Sequence, residues 1–150
     1  MSLKVYVAGR ISRQEEIRAI HAQLREAGLE ITHDWTWTAA ITNDQEAGEF
    51  RKREYVGMNP KYHTEADEDL NAVIEADIFI VLTDENGTGI YVEMGAAFAG
   101  QKIRNKPQLM YAIGPHFSRM LFYQHRAVQR VSSVEEILSD LRDRGLLQLS

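Results

Sequence analysis

The sequence contains no cysteine, which excludes disulfides, thiolate catalysis and cysteine-ligated zinc. Proline is scarce, with three residues in 150, and no low-complexity tract interrupts the chain, so it lacks the composition of a linker or a disordered segment. A basic surplus is missing as well: 17 lysines and arginines face 22 aspartates and glutamates, for a formal charge of -5. Binding a nucleic-acid polymer needs cations to neutralise phosphates, so a small-molecule ligand fits this balance better. No apolar run is long enough to cross a bilayer, and the apolar run in the opening MSLKVYVAGR is too short for a signal peptide. No membrane partner is therefore expected, and the expected location is cytoplasmic. What is present, 44% hydrophobic residues over a length typical of one domain, predicts a single globular unit spanning residues 1–150.

Apolar segments of two periods alternate along it. Leu3 to Ala8 reads as a buried strand stopped by Gly9, and Ile17, Ile20 and Leu24 recur at helical spacing between about Arg13 and Ala27, with Gly28 placed as a left-handed C-cap. A second strand begins at Leu29 to Thr32. Thr64 and Asp67 resemble the start of a helix that carries Leu70, Val73 and Ile74 and ends near Ala76. Asp77 to Leu82 is the most continuous apolar run and predicts the central strand. After the turn Asp84 to Gly89 comes a helix from about Ile90 to Gly100, a strand from Gln108 to Ala112, a strand from Val128 to Val131, and a last helix capped by Ser132 and Glu135 and running through Leu141. Such alternation predicts a doubly wound, flavodoxin- or Rossmann-like α/β domain: five parallel strands with helices on both faces. The segment Asp34 to His63, which holds Trp35 and Trp37, has little periodicity and reads as a partly helical lid or pocket wall.

In a fold of this class ligands bind beyond the C-terminal ends of the strands, which places the loops Gly9 to Arg13, Asp84 to Gly89 and Gly114 to Ser118 at the site. Glu93 falls in the expected first turn of the helix after the glycine-rich loop, where the dipole and free amides favour an ionised carboxylate; acidic residues are also common there for stability alone. Asp69 on the preceding helix, viewed in isolation, reads as a solvated helix-face charge before it reads as a site residue. Neither a GxGxxG fingerprint nor a Walker A lysine pattern is present, so redox-dinucleotide and P-loop chemistry have no motif behind them. Trp35 and Trp37 are able to stack on a base or to fill a core.

Three segments, Val5-Tyr6-Val7-Ala8-Gly9, Glu68 to Asp77 and Gly89-Ile90-Tyr91-Val92-Glu93-Met94-Gly95-Ala96-Ala97, together resemble the nucleoside 2-deoxyribosyltransferase family, with weaker similarity at Ser118-Arg119-Met120. The resemblance implies cleavage of an N-glycosidic bond without cofactor or metal, with Glu93 as nucleophile and Asp69 in proton transfer. It implies that Tyr6 and Gly9 line the pocket, and that Phe117 to Met120 completes a neighbour's site in a homo-oligomer. Where transferases of that family carry an aspartate and an asparagine that contact the 5' hydroxyl, this chain has Gly87 and Ser118. Ser118 is similar to the small hydroxyl residues of the related 2'-deoxynucleoside 5'-monophosphate N-hydrolases. Arg10, Ser12, Arg13, Thr88, Gly89, Ser118, Met120 and Trp35 are the further expected substrate contacts, with the two arginines and the hydroxyls suited to a phosphate. Base preference, ribose against deoxyribose, and transfer against hydrolysis stay open. So do two other readings, a catalytically silent nucleotide-binding module and an NAD glycohydrolase.

Overall fold

A strand whose residues are apolar without alternation must be covered on both faces, and the first, β1 (Lys4–Ala8), has Val5 to Ala8 fully buried. The computed structural model describes residues 2–39, 41–53 and 60–148. Every residue of β3 (Ile78–Leu82) and β4 (Leu109–Ile113) is also buried, while the short β2 (Glu30–Ile31) and β5 (Val128–Val131) are more exposed. These sheet positions follow from the burial: the order is β2-β1-β3-β4-β5, all parallel, with the two wet strands at the edges. In register, Val5 faces Ile78 and Ala8 faces Val81, so β1 and β3 end side by side.

The connections place α1 (Gln14–Glu26) between β1 and β2, α2 (Asp44–Arg51) and α3 (Pro60–Glu75) between β2 and β3, α4 (Gly89–Arg104) between β3 and β4, and α5 (Val134–Asp143) after β5. α1 packs with α5 and α3 with α4, giving the two helix layers. Because β2 lies on one side of β1 and β3 on the other, the chain switches direction between β1 and β3. That crevice is where a doubly wound sheet holds its ligand.

The expected fold class is the one observed, and several expected ends move. A short 3-10 turn, Ile11–Arg13, precedes α1, so the α-helix starts at Gln14; Gly28 has the positive φ expected of its C-cap position, +96°. α3 begins at Pro60 rather than at Thr64, since proline suits a first helical position, and Thr64 lies inside the helix. α4 runs past Gly100 to Arg104 and ends on Asn105 in the left-handed conformation. Gly100 has a packing reason instead: a Cβ there would lie 2.3 Å from the carbonyl oxygen of Lys106. The last helix is capped one residue later than expected, by Ser133, whose hydroxyl accepts from the amide of Glu136, while Glu136 accepts from the amide of Ser132.

The segment expected to form a lid or wall contains α2 and an anchored turn at 33–39. Residues 40 and 54–59 of that segment lie outside the described residues.

Candidate active site

The crevice between the ends of β1 and β3 opens as a cleft of about 650 Å³. Its walls come from Gly9, Arg10 and Ile11 after β1, from Asn86 to Ile90 at the entrance to α4, from Asp44, Ala47, Phe50 and Arg51 of α2, and from Arg119 after β4; Glu93 reaches it from α4. A volume of this size suits a nucleotide-sized ligand.

Gly9 lets α1 approach the end of β1 closely, because a Cβ there would meet Ile17 Cδ1 at 2.8 Å. At the end of β3, Asp84 organises the entrance. Its Oδ1 accepts from the amide of Asn86 at 3.0 Å and from Arg10 Nη1 at 3.4 Å, and its Oδ2 lies 3.5 Å from Arg13 Nη1. Burial alone would raise the pKa of Asp84, but the Asn86 amide and the two guanidiniums outweigh it and hold the group below the usual range. Arg10 also bridges to Asp44 of α2 at 3.0 Å, tying the wall to the loop. Gly87 has φ +129°, a conformation that favours glycine, and any side chain there would press on Ile90.

The charged centre lies at Glu93. α4 starts at Gly89, so its first turn holds no acidic residue and Glu93 lies just beyond it. The expected first-turn placement is therefore corrected, and with it the expected stabilisation of the carboxylate by helix-end amides. Burial dominates and pushes the Glu93 carboxyl up to about 8; the hydrogen bond with Tyr6 pulls it down, and the charge of Asp69 pushes it up. Glu93 Oε2 is buried and has no hydrogen-bond partner among the described residues. Burial likewise raises Asp69 to about 6, against a lowering by His33 and with a further rise from Glu65 and Glu68. Asp69 Oδ1 is the second buried carboxyl oxygen without a hydrogen-bond partner among the described residues. Tyr6, fully buried on β1, has its phenol pushed up by burial first and then by Glu93 and Asp69. Two carboxyls that hinder each other's ionisation share a proton over the interval between their midpoints.

Tyr6 and Asp69 both act electrostatically on Glu93, which lines the cleft with Gly9, Arg10, Thr88 and Gly89, whereas Tyr6 and Asp69 are not among the lining residues. Thr88 is the N-cap residue of α4, yet its side chain makes no capping hydrogen bond. Other expected contacts lie elsewhere. Arg13 does not line the cleft: its guanidinium donates to the Thr83 carbonyl at 2.6 Å and forms a two-point pair with Glu16. Ser12 and Ser118 are exposed on 3-10 turns and are not among the lining residues. Trp35 is 7% exposed and belongs to the core, whereas Trp37 is 72% exposed and stacks under Arg18 at 3.7 Å.

Met120 lines a different cleft, an apolar one of about 460 Å³ formed with Met94, Phe98 and Phe122. At 100° per residue, Met94 and Phe98 occupy the side of α4 turned away from Glu93. Arg119, Asn86, Asp44 and Phe50 line the site without having been singled out by sequence, although Asn86 lies in a loop expected there and Asp44 and Phe50 in the segment expected to form a lid or pocket wall. Arg119 stands beside Ser118, which the sequence does point to; the α2 residues carry no motif and reach the cleft only through folding. Among the described residues no group of three histidine or carboxylate side chains is arranged to hold a metal ion, and no helix is long and apolar enough to cross a membrane.

No family model matches the chain, and no curated protein matches it. Among solved structures, its fold is similar to that of "Clostridium botulinum CMP N-glycosidase, BcmB", with a TM-score of 0.51 and 20% sequence identity over 94% of this chain and 98% of that one.

Proposed function

We propose that this chain cleaves the N-glycosidic bond of a nucleoside 5'-monophosphate, with Glu93 as nucleophile and Asp69 as acid and base. The observation that carries the reading is the Glu93 carboxyl, buried, with an oxygen lacking a hydrogen-bond partner among the described residues, at a cleft of nucleotide size and within electrostatic reach of a second raised carboxyl. The similar solved fold belongs to a protein described as a CMP N-glycosidase, which agrees with this class of substrate.

Between the two midpoints the resting protein holds the shared proton on Glu93; in the reactive arrangement that proton has passed to Asp69 and Glu93 is ionised. A Glu93 oxygen bonds to the anomeric carbon as the carbon–nitrogen bond breaks, and the departing base takes the Asp69 proton. Positive charge building on the sugar stabilises the Glu93 carboxylate that burial otherwise disfavours. Water then attacks the anomeric carbon, the glycosyl–Glu93 bond breaks, and Asp69 receives the water proton. An acceptor base in place of water would make the reaction a transfer. The Tyr6 phenol favours the ionised form of Glu93.

A 5'-phosphate suits a cleft lined by Arg10, Arg119, Thr88 and the N-terminal end of α4, where it would compete with Asp44 and Asp84 for Arg10 and with the Glu85 carbonyl for Arg119. The test is incubation with a panel of nucleosides and their 5'-monophosphates, with and without a free acceptor base, with products separated by chromatography. Base release from a monophosphate without acceptor is the expected result. Release only with acceptor would make the enzyme a transferase, and binding without any release would leave a nucleotide-binding module.

A further inference from the structure

We infer that His33 is a positioning residue for Asp69: the turn after β2 holds its imidazole against the carboxyl, opposite the acids around it. This rests on the reading of Asp69 as the acid and base of the proposed reaction. His33 Nε2 lies 3.7 Å from Asp69 Oδ1, an oxygen without a hydrogen-bond partner among the described residues, and 3.8 Å from Glu68 Oε2.

The imidazole is also held by its own turn. Thr38 Oγ1 lies 3.1 Å from the same Nε2, and the turn that carries both residues is pinned three times. Trp35 donates its indole N–H to Val7; the amide and hydroxyl of Thr36 donate to Asp34; and Arg18 donates to the hydroxyl and carbonyl of Thr36. A histidine on a segment held this firmly keeps its distance from Asp69 at little entropic cost when the site fills.

Groups on every neighbouring element face Asp69. Glu65 and Glu68 on its own helix disfavour its ionised form, Tyr6 on β1 and Glu93 on α4 each feel its charge, and His33 favours ionisation. An acid that must give a proton in one half of a reaction and take one in the other works best with its midpoint near the working pH. Burial and two glutamates push Asp69 up, and His33 opposes them.

The sign is testable in both directions. Carboxyl ¹³C NMR titration of the unliganded protein at low salt, with Asp69 assigned by comparison with Asp69→Asn, reads its midpoint without any substrate. In His33→Gln, which keeps a polar side chain for Thr38 but loses the protonatable ring, the midpoint should rise by roughly one pH unit. In Glu68→Gln it should fall by roughly a few tenths of a unit, because a neighbouring negative charge is gone. Both variants lie at the surface side of the site, and circular dichroism verifies that each is folded. Opposite shifts support the assignment, since general loosening of the site would move both variants the same way. An unmoved or lowered midpoint in folded His33→Gln overturns it. In turnover, the limb of the pH–rate profile that belongs to Asp69 should move with the NMR midpoint. A parent protein that releases no base from any substrate would defeat the proposed function, while the titration would still decide, independently, whether His33 sets the Asp69 midpoint.

Discussion

The indole N–H of Trp35 donates to the main-chain carbonyl of Val7, 2.8 Å away, and so takes the place of a strand that has run out. β2 pairs with β1 only at Lys4–Glu30 and Val5–Ile31, and the Thr32 amide reaches Val5 just beyond it. Further along β1, the Val7 carbonyl is served from this side by a side chain. Trp35→Phe keeps an aromatic ring but strands that carbonyl, and should lower stability by about 1 to 3 kcal/mol. Denaturant unfolding at constant m-value measures the loss; a change below the experimental error would mean that the indole is not the anchor described.

Glu93→Gln should abolish base release while stabilising the fold. The folded carboxyl titrates near 8 against an ordinary value of 4.5, so between these pH values the folded state holds a proton that the unfolded state has released. Stability contributed by the neutral acid is then lost as pH rises, at about 1.4 kcal/mol per pH unit for one full proton. Gln escapes this penalty. The melting-temperature advantage of the variant should therefore be near zero below about pH 4.5 and grow to its full size by pH 8. A constant difference across that range would contradict the burial assigned to Glu93.

For Asp69→Asn, the expected result is a fall in kcat of about 10² to 10⁴-fold with a much smaller change in KM, as for a group that acts on a proton in flight. Steady-state kinetics on the best substrate decide this. An unchanged kcat would return Asp69 to the status of a helix-face charge.

The arginines should separate by role. Arg10→Ala and Arg119→Ala should each weaken use of a 5'-monophosphate by roughly 10 to 100-fold relative to the nucleoside, the scale of a lost charge-assisted hydrogen bond. Arg13→Ala should instead lower stability, because the Thr83 carbonyl and Asp84 lose their partner, and should leave the phosphate preference intact. The ratio of kcat/KM for the two substrates in each variant provides the check.

The apolar cleft behind α4 bears on assembly. Leu121 and Phe122 stand 78% and 55% exposed beside it, more apolar surface than a lone subunit tolerates comfortably. A homo-oligomer that covers these residues is expected, and light scattering should show a change to monomer in Leu121→Glu with Phe122→Glu. A parent that is monomeric and active at assay concentration would reject this.

Much of the fold is readable because the buried strands of a parallel sheet announce themselves as unbroken apolar runs, as Ile78 to Leu82 does. Helix ends are less readable. Gly100 has the look of a stop signal and is a close-packing residue, and Pro60 begins a helix inside a stretch with weak periodicity. The placement of Glu93 and Asp69 is visible only through their resemblance to a known pattern, since neither charge differs in sequence from a surface residue. What no local pattern carries is the partner of each charged group. Arg13 turns inward to a carbonyl, Trp35 to β1 and His33 to Asp69 through contacts between positions as much as 70 residues apart.

Glu93 stands on a sixteen-residue helix fixed at its far end by the tight contact of Gly100 with Lys106. The opposing walls of the cleft come instead from loops and from α2. On the proposed reading, the attacking atom and the recognition surface therefore belong to different mechanical parts of the molecule. Loop and α2 exchanges made to accept another base or sugar would leave the line of attack unmoved, which makes this scaffold suited to changes of specificity by segment replacement.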